Sequence, residues 1–135
     1  MGFSTEFYKQ EVWRGLGCSS LEDFLVGLLE GAFLPNDSNN LLCQAWKWQQ
    51  GDVSRHSDGD LAAALGRVKA RTFVLPVDED MVIPTQDCET EQRLIPGSEL
   101  RVINSLWGQL VLLGLDSSYT EQVDRHLGEL LDTSV

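Results

Sequence analysis

Apolar positions recur at helical spacing through the first half of the chain, then give way to short β-branched runs. Phe7, Tyr8, Val12, Trp13 and Leu16 fall at intervals that predict a helix over residues 5–16, broken by Gly15 and Gly17. Ser19 and Ser20, followed by Glu22 and Asp23, form a capping-box arrangement that supplies acceptors to the free N–H groups of a helix start. Leu21, Phe24, Leu25, Leu28 and Leu29 line the broad apolar face of that second helix, which ends near Pro35. Asp37 or Ser38 starts a third helix through Leu41, Leu42, Ala45, Trp46 and Trp48, and Gly51 ends it. Residues 51–60 are polar, and Asp60 caps a short helix from Leu61 to about Val68.

The period then changes. Residues 72–77, Thr-Phe-Val-Leu-Pro-Val, make the short bounded apolar run of a buried strand, with Pro76 limiting its ladder. Pro84 stands at the first turn of a helix reaching about Leu94, and Pro96-Gly97 marks a turn. Residues 99–104 predict a second strand through Leu100, Val102 and Ile103. After a loop with Trp107 and Gly108, Ser117 or Ser118 caps a last helix whose Val123, His126, Leu127, Leu130 and Leu131 share a face. The chain thus divides into a helical segment, 1–60, and a strand–helix–strand–helix unit, 61–135, with parallel strands joined by a right-handed crossover. A two-stranded parallel sheet lacks the cover and edge neighbours such sheets need, so a companion sheet, upstream or in another chain, is expected.

Charge narrows the partners. The 135 residues include 21 acidic against 10 basic side chains, a net charge of −11, and this disfavours nucleic acid and anionic membrane surfaces. The densest basic stretch, Arg67, Lys69 and Arg71, reads as solvated residues around a helix end. A hydrophobic content of 42% is that of a folded soluble domain. Cys18, Cys43 and Cys88 are odd in number and widely spaced, which fits free thiols in a reducing compartment. The N-terminus has neither the basic nor the apolar region of a secretory signal, and no apolar run has the length of a membrane span, so a cytoplasmic protein is expected.

Two stretches carry a family resemblance. Residues 70–84, Ala-Arg-Thr-Phe-Val-Leu-Pro-Val-Asp-Glu-Asp-Met-Val-Ile-Pro, are similar to the strand and acid loop near the C-terminus of α/β-hydrolases. Residues 99–109, Glu-Leu-Arg-Val-Ile-Asn-Ser-Leu-Trp-Gly-Gln, look like the final strand and the loop that bears the triad histidine. The segments Phe-Leu-Val-Gly (24–27), Asn-Asn-Leu-Leu (39–42) and Trp-Lys-Trp-Gln-Gln-Gly-Asp-Val-Ser (46–54) resemble the cap of the homoserine O-acetyltransferase-like branch. The resemblance implies an α/β fold, the C-terminal portion of an α/β-hydrolase, with cap helices over 1–60 and the end of the core over 61–135. It also implies acyl transfer from a thioester such as acyl-CoA to a small hydroxylated acceptor, or ester hydrolysis, through a serine acyl-enzyme with no resident cofactor. Asp80 falls at the triad-acid position.

Two departures bear on activity. Gln109 stands where the pattern has histidine, and an amide cannot take and return the serine proton. There is also no G-x-S-x-G motif, so the nucleophile and its adjoining oxyanion donors are absent from the sequence. The expectation is a chain inactive by itself. The alternative is a non-catalytic interaction module, or a pseudoenzyme subunit docking a partner chain or a second copy; a fragment of a longer protein with no separate function is a third reading.

Other residues have blander roles to set beside the chemical ones. His126 reads as a packed or surface histidine, and His56 with Asp58 and Asp60 lacks the ligands for a metal site. Cys88 has no histidine near it in sequence to make it a nucleophile. Trp13, Phe24, Phe33, Trp46 and Trp48 suit either an acyl pocket or a core. Trp46 shares the Leu42 face, whereas Trp48 points about 200° away and suits a pocket or an interface. Trp48 and Trp107 are the substrate-pocket candidates.

Overall fold

The computed structural model describes residues 3–132; the Leu29 side chain, and the first two residues bearing on the leader reading, lie outside the described residues. The helical half begins with α1 (Thr5–Lys9), capped by the Ser4 side chain, which accepts the Phe7 N–H. The helix expected to Leu16 is interrupted: Glu11 adopts φ 52°, and the chain resumes as a 3-10 helix, Val12–Leu16. This break lets Phe7 and Trp13 both reach one core, which an unbroken helix would place about 240° apart.

Ser20 accepts the Asp23 N–H while Asp23 accepts the Ser19 N–H and hydroxyl, so the expected capping box forms one residue out of step. It opens α2 (Leu21–Asp23), which passes into a seven-residue π-helical stretch, Phe24–Glu30, and then α3 (Gly31–Phe33). Asp37 caps α4 (Ser38–Gln50) through the Asn39 and Asn40 N–H groups. A 3-10 helix, Val53–Ser57, then packs on α5 (Leu61–Leu65), which Asp60 caps and which is shorter than the expected run to Val68.

The second half is strand–helix–strand–helix: β1 (Phe73–Val74), α6 (Thr85–Gln92), β2 (Glu99–Leu100) and α7 (Ser117–Leu131). β1 and β2 pair in parallel, Phe73 with Glu99 and Val74 with Leu100, and a bridge joins Val77 to Ile103 further on. Pro76 explains the gap. It has no N–H to give the Arg101 carbonyl, although its own carbonyl accepts the Ile103 N–H at 2.8 Å. Two features were not expected: a 3-10 helix, Gly108–Leu113, follows the second strand, and Asp116 rather than a serine caps α7.

Two small cores hold these parts. Phe3, Phe7, Trp13 and Phe24 form the first, with Trp107 and Leu110 packed against it. Val77, Ile103 and Val111 form the second, with Leu75, Tyr119, Val123 and again Trp107. α4 contributes to neither. Leu42 and Trp46, the expected apolar face, are 68% and 61% exposed, and Trp48 on the other side is 70% exposed. Of the shared α7 face, Leu131 also points out, at 81% exposure. No helix among the described residues is long and apolar enough to cross a membrane.

Candidate functional site

The loops that follow the two strands lie together. After β1, the chain turns at Asp80, whose N–H donates to the Val77 carbonyl (3.2 Å) and whose Oδ1 accepts the Val82 and Ile83 N–H groups at 2.7 and 3.0 Å. One carboxylate oxygen is thereby fixed to backbone, and no bond to Oδ2 is seen among the described residues. After β2, Gly108 is buried at φ 54°, a left-handed conformation that a side chain would strain, and it turns the chain into the 3-10 helix that carries Gln109.

Asp80 and Gln109 line the same hollow, of about 230 Å³, with Leu75, Pro76, Ile83, Cys88, Leu112 and Tyr119. Asp78, two residues earlier, lines a different one. That hollow, of about 340 Å³, includes Ser105, Trp107 and Asp116. The turn closed by the Asp80 N–H on the Val77 carbonyl thus separates two carboxylates that a continuous strand would put on one face, and Asp80 is the one placed with position 109.

A hydrogen-bonded set supports the second loop. The buried Ser105 hydroxyl donates to Asp116, accepts the Trp107 N–H (3.2 Å), and its N–H donates to Asp78 Oδ1 (3.1 Å). The Ser4 hydroxyl, fully buried, donates to the Leu106 carbonyl at 2.6 Å. Sequence reasoning misses Ser4, Ser105, Asp78 and Asp116 as supports of the site. Only Asp116, an N-cap type before a periodic run, carries a legible signal.

The remaining candidates fall elsewhere. Trp107 packs on Phe7, ring centroids 5.2 Å apart, and lines the Asp78 hollow rather than the Asp80 one. Trp48 lines neither. Cys88 faces the Asp80 hollow, where burial first, then Glu91, Asp80 and Asp87, push its thiol pKa up, opposite to what a nucleophile needs. His56 is exposed, and Asp60 is engaged as a cap. Among the described residues no group of three or more His, Cys, Asp and Glu could hold a metal ion. His126 Nδ1 lies 3.2 Å from Arg101 Nη1. Arg101 also bonds Glu99 and Glu129 and lies over the Phe73 ring, 3.6 Å from its centroid. Arg71, expected to be merely solvated, joins this cluster through Glu129 at 3.4 Å. Those Arg101 bonds hold the Glu129 carboxyl below its ordinary pKa.

No protein-family model matches the chain. It is 58% identical over 133 residues to a probable esterase of Corynebacterium glutamicum, and 48% identical over 133 residues to an ethyl acetate hydrolase of Pseudomonas veronii; each alignment covers 98% of this chain. A homoserine O-acetyltransferase of Chlorobaculum tepidum is 33% identical over 93 residues, which cover 69% of this chain and 25% of that protein. Among solved structures, an acetylester hydrolase from C. glutamicum superposes with a TM-score of 0.92 at 57% identity, and the acetyl esterase MekB with 0.93 at 47%. Each superposition covers 97% of this chain and 38% of that one. The chain spans 38% of the length of the two esterase relatives it matches. In sequence and backbone it is a mixed α/β segment, similar to part of an ester hydrolase.

Proposed function

We propose that this chain is the C-terminal part of a serine ester hydrolase, that it supplies the acid position, Asp80, and the base position, Gln109, and that with glutamine at 109 it does not turn over acyl esters. The observation that carries this reading is the shared hollow of Asp80 and Gln109, with Asp78 outside it. In a serine hydrolase the base takes the hydroxyl proton as the oxygen attacks the acyl carbon, then returns it to the departing alcohol. The acid orients the base and stabilises its charged form. Asp80, fixed through Oδ1 to two backbone N–H groups, keeps Oδ2 for that task. The Gln109 amide is neutral across the working pH range and can hydrogen bond but cannot shuttle a proton.

The reaction class is hydrolysis of small acyl esters, acetyl esters foremost. Identities of 58% and 48% to ester hydrolases outweigh 33% over a shorter stretch of an acyltransferase, which leaves transfer from an acyl thioester as the lesser reading.

Fusing this chain to the remaining part of the C. glutamicum relative tests the roles directly. With Gln109→His the fusion should hydrolyse p-nitrophenyl acetate, and with Gln109 retained the rate should be lower by about 10³-fold or more. The chain by itself should match buffer. Equal turnover with and without the Gln109→His substitution, or turnover by the chain alone that Asp80→Ala abolishes, would overturn the reading.

A further inference from the structure

The 3-10 helix Gly108–Leu113 sorts its residues into separate faces, because side chains three apart eclipse one another. Gly108 and Val111 are buried, and Val111 belongs to the second core. Leu110 packs against the first core. Gln109 and Leu112 share the remaining face, and both line the hollow that holds Asp80. Leu112 is nevertheless 68% exposed, so packing within this chain does not account for a leucine there.

Ile83 reaches the same hollow from the acid loop. Its N–H donates to Asp80 Oδ1 at 3.0 Å, which fixes its backbone to the acid, and its side chain is also exposed. An exposed aliphatic side chain thus accompanies the acid position on one loop and the base position on the other. Among the described residues that line the hollow, Asp80 alone is charged.

The task of the base decides which part of an ester lies beside it. The serine oxygen bonds the acyl carbon while its proton passes to the base; the bond from that carbon to the alcohol oxygen then breaks, and the same proton passes to the alcohol oxygen. Water next adds to the acyl carbon and gives a proton to the base, which returns it to the serine oxygen as the acid departs. Position 109 therefore serves the alcohol oxygen, and the carbons attached to that oxygen lie against the neighbours of position 109.

We infer that Leu112, with Ile83, forms the wall for the alcohol part of the ester and selects alkyl alcohols over hydroxylated ones. This rests on the reading of the chain as part of a serine ester hydrolase, and it names the side of the substrate that this chain governs. An alkyl chain gains by covering the leucine, whereas a hydroxylated one loses hydration against an aliphatic surface.

The test uses the fusion to the remaining part of the C. glutamicum relative, carrying Gln109→His, with ethyl, propyl and butyl acetate, 2-hydroxyethyl acetate and ethyl butyrate as substrates. With Leu112 in place, kcat/KM should rise about fourfold for each methylene added to the alcohol, the worth of a buried CH2. Propyl acetate should exceed 2-hydroxyethyl acetate by about tenfold. Leu112→Ser should flatten the alcohol series to below about 1.5-fold per methylene, and Leu112→Met should keep its slope. The ratio of ethyl acetate to ethyl butyrate should be the same in all three proteins, since the acyl group lies on the other side of the bond that breaks; a merely structural loss would move both. A slope that survives Leu112→Ser, or an acyl ratio that shifts as much as the alcohol series, would overturn the inference in a fusion that still turns over. A Gln109→His fusion without turnover of p-nitrophenyl acetate would instead remove the ester-hydrolase reading, and this inference with it.

Discussion

Ser4→Ala should loosen the loop that carries position 109, although the two lie more than a hundred residues apart. The Ser4 hydroxyl is fully buried and has two jobs: it accepts the Phe7 N–H at the start of α1 (2.9 Å) and donates to the Leu106 carbonyl (2.6 Å). Loss of the cap costs about 1 kcal/mol. The Leu106 carbonyl, left without its donor, adds about 1–3 kcal/mol. The total, about 2–4 kcal/mol, is a large share of the roughly 6–20 kcal/mol expected for a domain of this size. With a urea dependence of about 1.5 kcal/mol per molar, the midpoint should fall by roughly 1.3–2.7 M. Tryptophan fluorescence follows the transition, since Trp13 and Trp107 lie in the affected core. Exchange at the loop amides, residues 106–110, should quicken by about 30-fold for each 2 kcal/mol. Ser117→Ala, at an exposed helix position, is the control and should move the midpoint by less than about 0.3 M. A Ser4→Ala midpoint within that control range would refute the claim that the hydroxyl ties α1 to the loop.

Other expectations follow from the same structure. Arg101 depresses the Glu129 pKa, so the stabilisation from this pair is complete above the ordinary carboxyl pKa near 4.5 and is lost as pH falls through the lower folded value. Glu129→Gln should therefore lower the urea midpoint at pH 7 and leave it unchanged near pH 2; a difference that persists in acid would show that the effect is not ionic. Cys43 is exposed, whereas Cys88 is half-buried with a raised thiol pKa, so iodoacetamide at pH 8 should label Cys43 first by mass spectrometry. Faster labelling of Cys88 would contradict the burial described for it.

Local signals survived well where one residue decides. Asp37 and Asp60 cap the helices their positions announced, and Pro76 costs the ladder the rung its missing N–H implies. Legibility failed where tertiary contact decides. The φ of 52° at Glu11 has no turn residue to announce it; it follows from Phe7 and Trp13 entering one core. Leu42 and Trp46 form an apolar face in sequence, yet they face solvent, because period alone cannot say whether a packing partner is present. At the candidate site, Asp80 and Gln109 are candidates by resemblance alone, and both line one hollow. The Ser105–Asp116–Asp78 set was not readable, since its members join through a loop, a cap and a strand end distant in sequence.

Trp107 packs against both cores, with Phe3 and Phe7 on one side and Val77, Ile103 and Val111 on the other. With Leu110 and the Ser4–Leu106 hydrogen bond beside it, this indole couples the melting of the helical half to that of the strand half. Truncating it to alanine would do more than open a cavity: it would weaken that coupling and broaden the single transition, drawing apart the unfolding of the aromatic cluster and of the parallel strands.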